Sequence, residues 1–298
     1  MDNERIEFYQ NRSLGERLSA AADFLRQNWK VFYKNILIPA IPFILLMAYF
    51  SSQVTETYSD IFSAIMRGDM SVLENYNSSP ITSLVSLISG LFSLYLFAMS
   101  GAILSLYEEG NLTEKTSWRD LSSKMFSNAG KIFLVNLALG LIMIVVVLVF
   151  VLLIVMSFGG VLAGILSFIL VVGLLAALVP MMLTIYPALF RGASTWGSIR
   201  EGFRIGFKNW GSTFVILLIV GIMGLIIYFI LNIPSGIVML TSLGKVGVVS
   251  YIFSIISTLG TVLVYPCLFV FLAFQYFAIT EKEEGISLQN KIDEFDNL

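Results

Sequence analysis

IFLVNLALGLIMIVVVLVFVLLIV (132–155) carries no charge and a single strongly polar side chain, Asn136. A helix needs about 20 such residues to cross a hydrocarbon core near 30 Å thick, so this run reads as a transmembrane helix. Five more runs of comparable character lie at 36–52, 81–107, 159–190, 212–232 and 247–279. The composition agrees: 57% of the residues are hydrophobic and 13% charged, against about 45–50% and 25% in soluble domains. The expected fold is therefore all-α, a polytopic membrane protein with six spans forming one membrane domain over 1–280. A short acidic tail, 281–298, follows.

The basic residues predict the orientation. Before the first span stand Arg5, Arg12, Arg17, Arg26, Lys30 and Lys34, and between spans two and three stand Lys115, Arg119, Lys124 and Lys131. Between spans four and five stand Arg191, Arg200, Arg204 and Lys208, and after span six Lys282 and Lys291. On the opposite side of the 18 Lys and Arg are Arg67 and Lys245 alone. This positive-inside bias places both termini in the cytoplasm. MDNERIEFYQNR (1–12) has no apolar core, so the first span is expected to target the chain. The stretch 53–80 reads as an external loop, with a short helix around 61–66.

Three cytoplasmic segments resemble one another. SWRDLSSKMF (117–126) aligns with TWGSIREGFR (195–204), which puts Trp118, Leu121 and Met125, and likewise Trp196, Ile199 and Phe203, on one helix face. Leu14, Leu18, Ala21, Leu25, Trp29 and Phe32 repeat that period, behind a Ser13–Glu16 capping box. The segments end in QNWKVF (27–32), SNAGKIF (127–133) and KNWGSTF (208–214), aligning Asn28, Asn128 and Asn209. Basic amphipathic helices of this kind lie in the headgroup plane. The pattern predicts three repeats, 13–110, 111–191 and 192–280, each an interfacial helix followed by a transmembrane hairpin.

Within the hairpins the even spans carry the small residues: Ser83, Ser86, Gly90, Ser93 and Ser100; Gly173, Ala177, Pro180 and Thr184; Ser250, Ser254, Ser257 and Thr261. Small side chains let helix backbones approach closely. This predicts an inner set of spans two, four and six, helped by the small pair in GVLAG (160–164). The stripes serve either packing, with hydroxyls bonded to their own helix carbonyls, or a polar lining, for which Ser86, Ser93, Thr184, Ser254 and Ser257 are the candidates. YPALF (186–190) recurs as YPCLF (265–269). Proline removes a helix hydrogen bond, so Pro187 and Pro266 are expected hinges, with Thr184 and Thr261 as partners for the freed carbonyls of Leu183 and Val262.

The chemistry in the sequence is sparse. There is no histidine and one cysteine, Cys267, which excludes histidine acid–base catalysis and disulfides within the chain. No ionisable residue falls deep in a span, which argues against an ion-coupled pump. Asn136, Asn232 and Gln275 read as interhelical or interfacial groups. The pairs Glu108–Glu109 and Glu283–Glu284 read as solvated charge at span ends, and the sequons at Asn77 and Asn111 carry no weight. No catalytic, cofactor or metal site and no nucleic-acid partner is expected. Arg200, Arg204 and Lys208, at four-residue spacing, suit anionic lipid headgroups, each contributing about 1 kcal/mol near such a surface.

At 195–220, TWGSIREGFRIGFKNWGSTFVILLIV, preceded by YPALF, the chain resembles a group of bacterial six-helix membrane proteins. The group includes the membrane domain attached to glycerophosphoryl diester phosphodiesterases. The resemblance implies a bacterial inner-membrane protein in which a cytoplasmic helix leads into a hydrophobic span. The catalytic domain of such fusions has no counterpart in this sequence, so no activity and no site residue follow. Two functions fit these features. The first is a non-catalytic scaffold or accessory to a membrane protein partner or to lipid organisation. The alternative is a permease or lipid-handling protein with a site between spans two, four and six; an intramembrane enzyme lacks a nucleophile–base pair.

Overall fold

The computed structural model describes residues 5–69, 80–157, 159–241 and 247–286. Among them there is no strand. The helices of the described residues are α1 (Leu14–Met66), α2 (Pro80–Glu108), α3 (Trp118–Met156), α4 (Gly160–Met181), α5 (Tyr186–Phe190), α6 (Thr195–Lys208), α7 (Trp210–Thr241) and α8 (Gly247–Glu284). Six helical segments are long and apolar enough to cross a membrane. Lys245, Asn77, Lys291 and the tail 287–298 lie outside the described residues.

Two of the three expected interfacial helices are not separate elements. α1 runs unbroken for 53 residues, about 80 Å at 1.5 Å per residue, through Pro39 and Pro42 and on to Met66. The predicted capping box starts it: the Ser13 amide donates to Glu16 at 2.7 Å. The apolar face of its first turns packs against protein. Phe24 and Phe32 are fully buried, and Phe24 meets Tyr107 edge-on. α3 is equally continuous from Trp118 into span three. In the third unit the expected break occurs, at Asn209, between α6 and α7. The first part of the stretch 53–80, expected as an external loop, is helical through Met66; 70–79 lie outside the described residues.

The inner set also differs from the expectation. Spans one, two and six are the substantially buried ones, while spans three, four and five expose nearly all of their apolar surface. Span four stands at the periphery, with Val161 81% exposed. Small residues did not decide this. Gly160, Gly164 and Gly173 meet no neighbour within 4 Å, so the GVLAG pair packs on nothing. The aromatic half of α8 decided it: Phe269 to Glu281 are buried without interruption, and Phe274 and Phe277 surround Phe8 of the N-terminal segment. α8 is thus the central helix of the end that holds the N-terminus.

Where backbones do approach closely, the small residues belong to α6. A Cβ on Gly202 would stand 2.5 Å from Thr184 Cα, and one on Gly206 2.5 Å from Pro180 Cα. Ser198, Gly202 and Gly206 recur every fourth residue and are all buried, so α6 seats against the break between α4 and α5. That break replaces the hinge expected at Pro187. α4 ends at Met181 with Pro180 in its last turn, tight turns follow, and Pro187 opens the short helix α5, a position where its missing N–H costs nothing. The carbonyl that Pro180 frees, Ala176, accepts from Trp210 Nε1 at 2.9 Å. Thr184 and Thr261 bond instead to Met181 and Ser257. Pro266 lies within an unbroken α8.

Candidate functional site

The four basic segments gather at one end of the bundle. Arg5 donates to the carbonyl of Tyr107 at 2.8 Å, Lys124 pairs with Glu109, and Lys208 pairs with Glu283 at 2.9 Å. Arg191 bridges Glu201 of α6 and Glu284 of α8, both at 2.8 Å. Burial works against the Arg191 charge, but the bond to Glu284 and the charge of Glu201 hold its pKa above the ordinary arginine value. Glu283 and Glu284 are therefore ion-paired rather than freely solvated, and Arg204 and Lys208 point at them as well as at solvent. Burial lowers the pKa of Arg12, against the pull of Glu7 and Glu16.

This end is knitted by buried polar groups. Gln275, fully buried on α8, accepts from Arg17 at 2.8 Å and donates to Ser212 and Thr213 at 3.0 Å. Its reading as an interhelical bond holds. The Arg17 guanidinium also donates to the Arg12 carbonyl.

The opposite half of the bundle is different. Between spans one, two, five and six lies a cavity of about 400 Å³, walled by Ser51 and Thr55 of α1, Ser89 and Ser93 of α2, and the Ser250–Ser254–Ser257 face of α8. These helices converge on the aromatic core at the terminal end, and the hydroxyl-bearing halves of α2 and α8 face each other across the remaining space. A serine or threonine inside a helix bonds its own backbone, and several do: Ser93 donates to Ser89 at 2.9 Å, Thr55 to Ser51 at 3.0 Å and Thr258 to Ser254 at 2.7 Å. Ser250 is a buried exception. It is 3% exposed, lines the cavity, and its hydroxyl has no hydrogen-bond partner.

A second cavity of about 290 Å³ opens between α7 and α8, lined chiefly by Val220, Leu225, Leu231, Val264 and Leu268 with Gly224 and Gly260 at its floor. Tyr228, Asn232, Ser257, Thr261 and Tyr265 line both cavities and form the seam between them. At that seam Ser257 donates to Asn232 Oδ1 at 2.7 Å, joining span six to span five. Among the described residues no Asp, Glu, Lys or Arg lines either cavity.

The structure brings together three of the five predicted lining residues. Ser93, Ser254 and Ser257 face the cavity. Ser86 is exposed on the outside of α2, bonded to the Thr82 carbonyl, and Thr184 is sealed beneath Gly202 at the other end. Spans one and five supply walls that the sequence reading assigned to span four, because α4 is displaced to the periphery. Ser250 belongs to the recognised α8 stripe, and its i, i+4 relation to Ser254 was the signal that could have singled it out. In comparisons with known proteins, no family model matches the chain, and no curated protein or solved structure matches it significantly.

Proposed function

We propose that this is a multi-pass protein of a bacterial inner membrane that handles a membrane-borne ligand, in the manner of a lipid-binding protein or permease. Both termini are cytoplasmic and the cleft lies in the outer half. One observation carries the reading: a hydroxyl-lined cavity sits where four spans diverge and adjoins an apolar cavity between spans five and six. Ligand sites of about 300–1,000 Å³ combine these two characters. The orientation rests on the basic residues gathered at the terminal end. Arg200 and Trp196, exposed on α6, suit contact with anionic headgroups there.

The test places cysteines at Ser93 and Ser257 in a Cys267→Ser chain. Either should react with a membrane-impermeant maleimide added from the outer face, since a polar cavity of this size fills with water. If both stay unreactive from both sides, the cavity is dry and the reading fails.

The hairpin of spans three and four favours the second reading, a scaffold for a membrane partner. Its apolar faces are almost wholly exposed, and α4 seats on the bundle chiefly through Pro180 and the Trp210–Ala176 bond. A mild-detergent pull-down with this hairpin intact should recover a stoichiometric partner; recovery of none counts against the scaffold.

A further inference from the structure

If the cleft is a ligand site, its two halves define what it takes. We infer that the ligand is an uncharged lipid whose head carries hydroxyl donors, of the diacylglycerol type. The head sits among Ser250, Ser254 and Ser93, and one acyl chain lies in the groove between α7 and α8.

Among the described residues no charged side chain lines either cavity, which favours an uncharged head. A phosphate or ammonium group in this part of the bilayer would be buried without a counter-ion, which is strongly unfavourable. The hydroxyls set its polarity. Ser93, Thr55 and Thr258 already donate to carbonyls of their own helices. What they present to the cavity is lone pairs, which accept. A head that donates, through hydroxyls, is complementary, and Ser250, unpartnered and 3% exposed, supplies both a donor and an acceptor.

The groove sets the tail. It shares Tyr228, Asn232 and Ser257 with the polar cavity, so the site for the head and the site for the chain adjoin. Gly224 and Gly260 in its lining let α7 and α8 pack closely, while Gly221 leaves open space beside the groove. A Cβ on Gly224 would meet Val264 at 2.9 Å and one on Gly260 would meet Leu231 at 2.4 Å. Ile222, Leu225 and Ile226 beside it are exposed on the lipid-facing side of α7, so a chain enters from the bilayer without crossing water.

The experiment uses the full chain in phosphatidylcholine nanodiscs containing a diacylglycerol with a diazirine in one acyl chain. After irradiation, label should concentrate on peptides covering 220–231 and 257–268 and be displaced by unlabelled diacylglycerol. Displacement should need at least about tenfold more phosphatidylglycerol, a difference of about 1.4 kcal/mol. Gly221→Leu, whose side chain enters open space at the groove, should lower the labelling about tenfold while leaving maleimide access at Ser93→Cys intact. Label spread evenly over α3 and α4 peptides means bulk lipid only and overturns the inference. So does displacement by free glycerol, which makes the cavity a polyol site without a chain, or equal displacement by phosphatidylglycerol. In each of those outcomes the cysteines remain reactive and the cleft itself stands. Unreactive cysteines would instead remove the cleft.

Discussion

Tyr186, the first residue of YPALF, donates its hydroxyl hydrogen to the carbonyl of Phe269, the last residue of YPCLF, at 3.0 Å. The two copies of the phrase are thus in contact, and their rings meet at a tilt of 39°, with centroids 5.2 Å apart. Tyr186 is 1% exposed and also stacks on Tyr276. The repeated motif is a docking point: it fixes the short helix α5 to the central helix α8, and through α5 it fixes the seat of α6.

Removing that hydroxyl should destabilise the fold without changing its shape. Tyr186→Phe keeps the ring contacts and leaves the Phe269 carbonyl without this donor, a loss of about 0.5–1.5 kcal/mol. Thermal unfolding in detergent should show a lower Tm, while Tyr228→Phe, on an exposed ring, should leave Tm close to the parent value. Equal shifts for both would mean that the interhelical bond contributes nothing.

The glycine contacts of α6 give a second expectation. Gly206→Ala places a methyl group 2.5 Å from the Pro180 backbone, which cannot yield as a flexible side chain would. Overpacking of this kind costs about 1–3 kcal/mol. Gly164→Ala, with nothing within 4 Å, should be neutral or slightly stabilising, since alanine is the better helix former. Comparing the two melting curves tests whether α6, and not GVLAG, carries the close helix contact.

The six spans were legible because length and apolarity are local properties, read directly from stretches such as 132–155. The gathering of the basic segments at one end followed from their distribution. The inner set was not legible, and the reason is physical. Small residues permit close approach but do not cause it, so Gly160 and Gly173 stay bare while Gly202 and Gly206 are covered. What centres α8 is a set of partners distant in sequence: Phe8, Phe24, Tyr107 and Tyr186 around Phe269–Phe277. The same limit applies to the site. Ser93, Ser254 and Ser257 were found from a local stripe, but Ser51 and Thr55 were not, because their role depends on α1 standing beside α8.

The buried Arg17–Gln275 bond supplies a third prediction. Gln275 satisfies a guanidinium donor and two hydroxyls on α7 from inside the protein. Gln275→Leu leaves that charge without its acceptor, and hydrogen bonds to charged groups contribute about 1.5–3 kcal/mol. The variant should unfold at lower denaturant. Gln275→Glu retains an acceptor toward Arg17 and should recover part of the loss. Recovery by Leu and not by Glu would show that the arginine does not depend on this partner.

Pro180 and Trp210 form a pair whose coupling can be measured. Proline at 180 has no N–H for the Ala176 carbonyl four residues earlier, and the Trp210 indole supplies the missing donor at 2.9 Å. In lipid an unpaired carbonyl has no water to turn to. Trp210→Phe should therefore destabilise the protein by about 1–3 kcal/mol, the cost of leaving a buried acceptor unsatisfied. In a Pro180→Ala chain the amide of residue 180 can bond Ala176 directly, so the same tryptophan change should cost much less. A double-mutant cycle in detergent reads the difference. Strong coupling means that the indole substitutes for the bond proline removed; purely additive effects would show that Trp210 acts through its stacking on Phe214 instead.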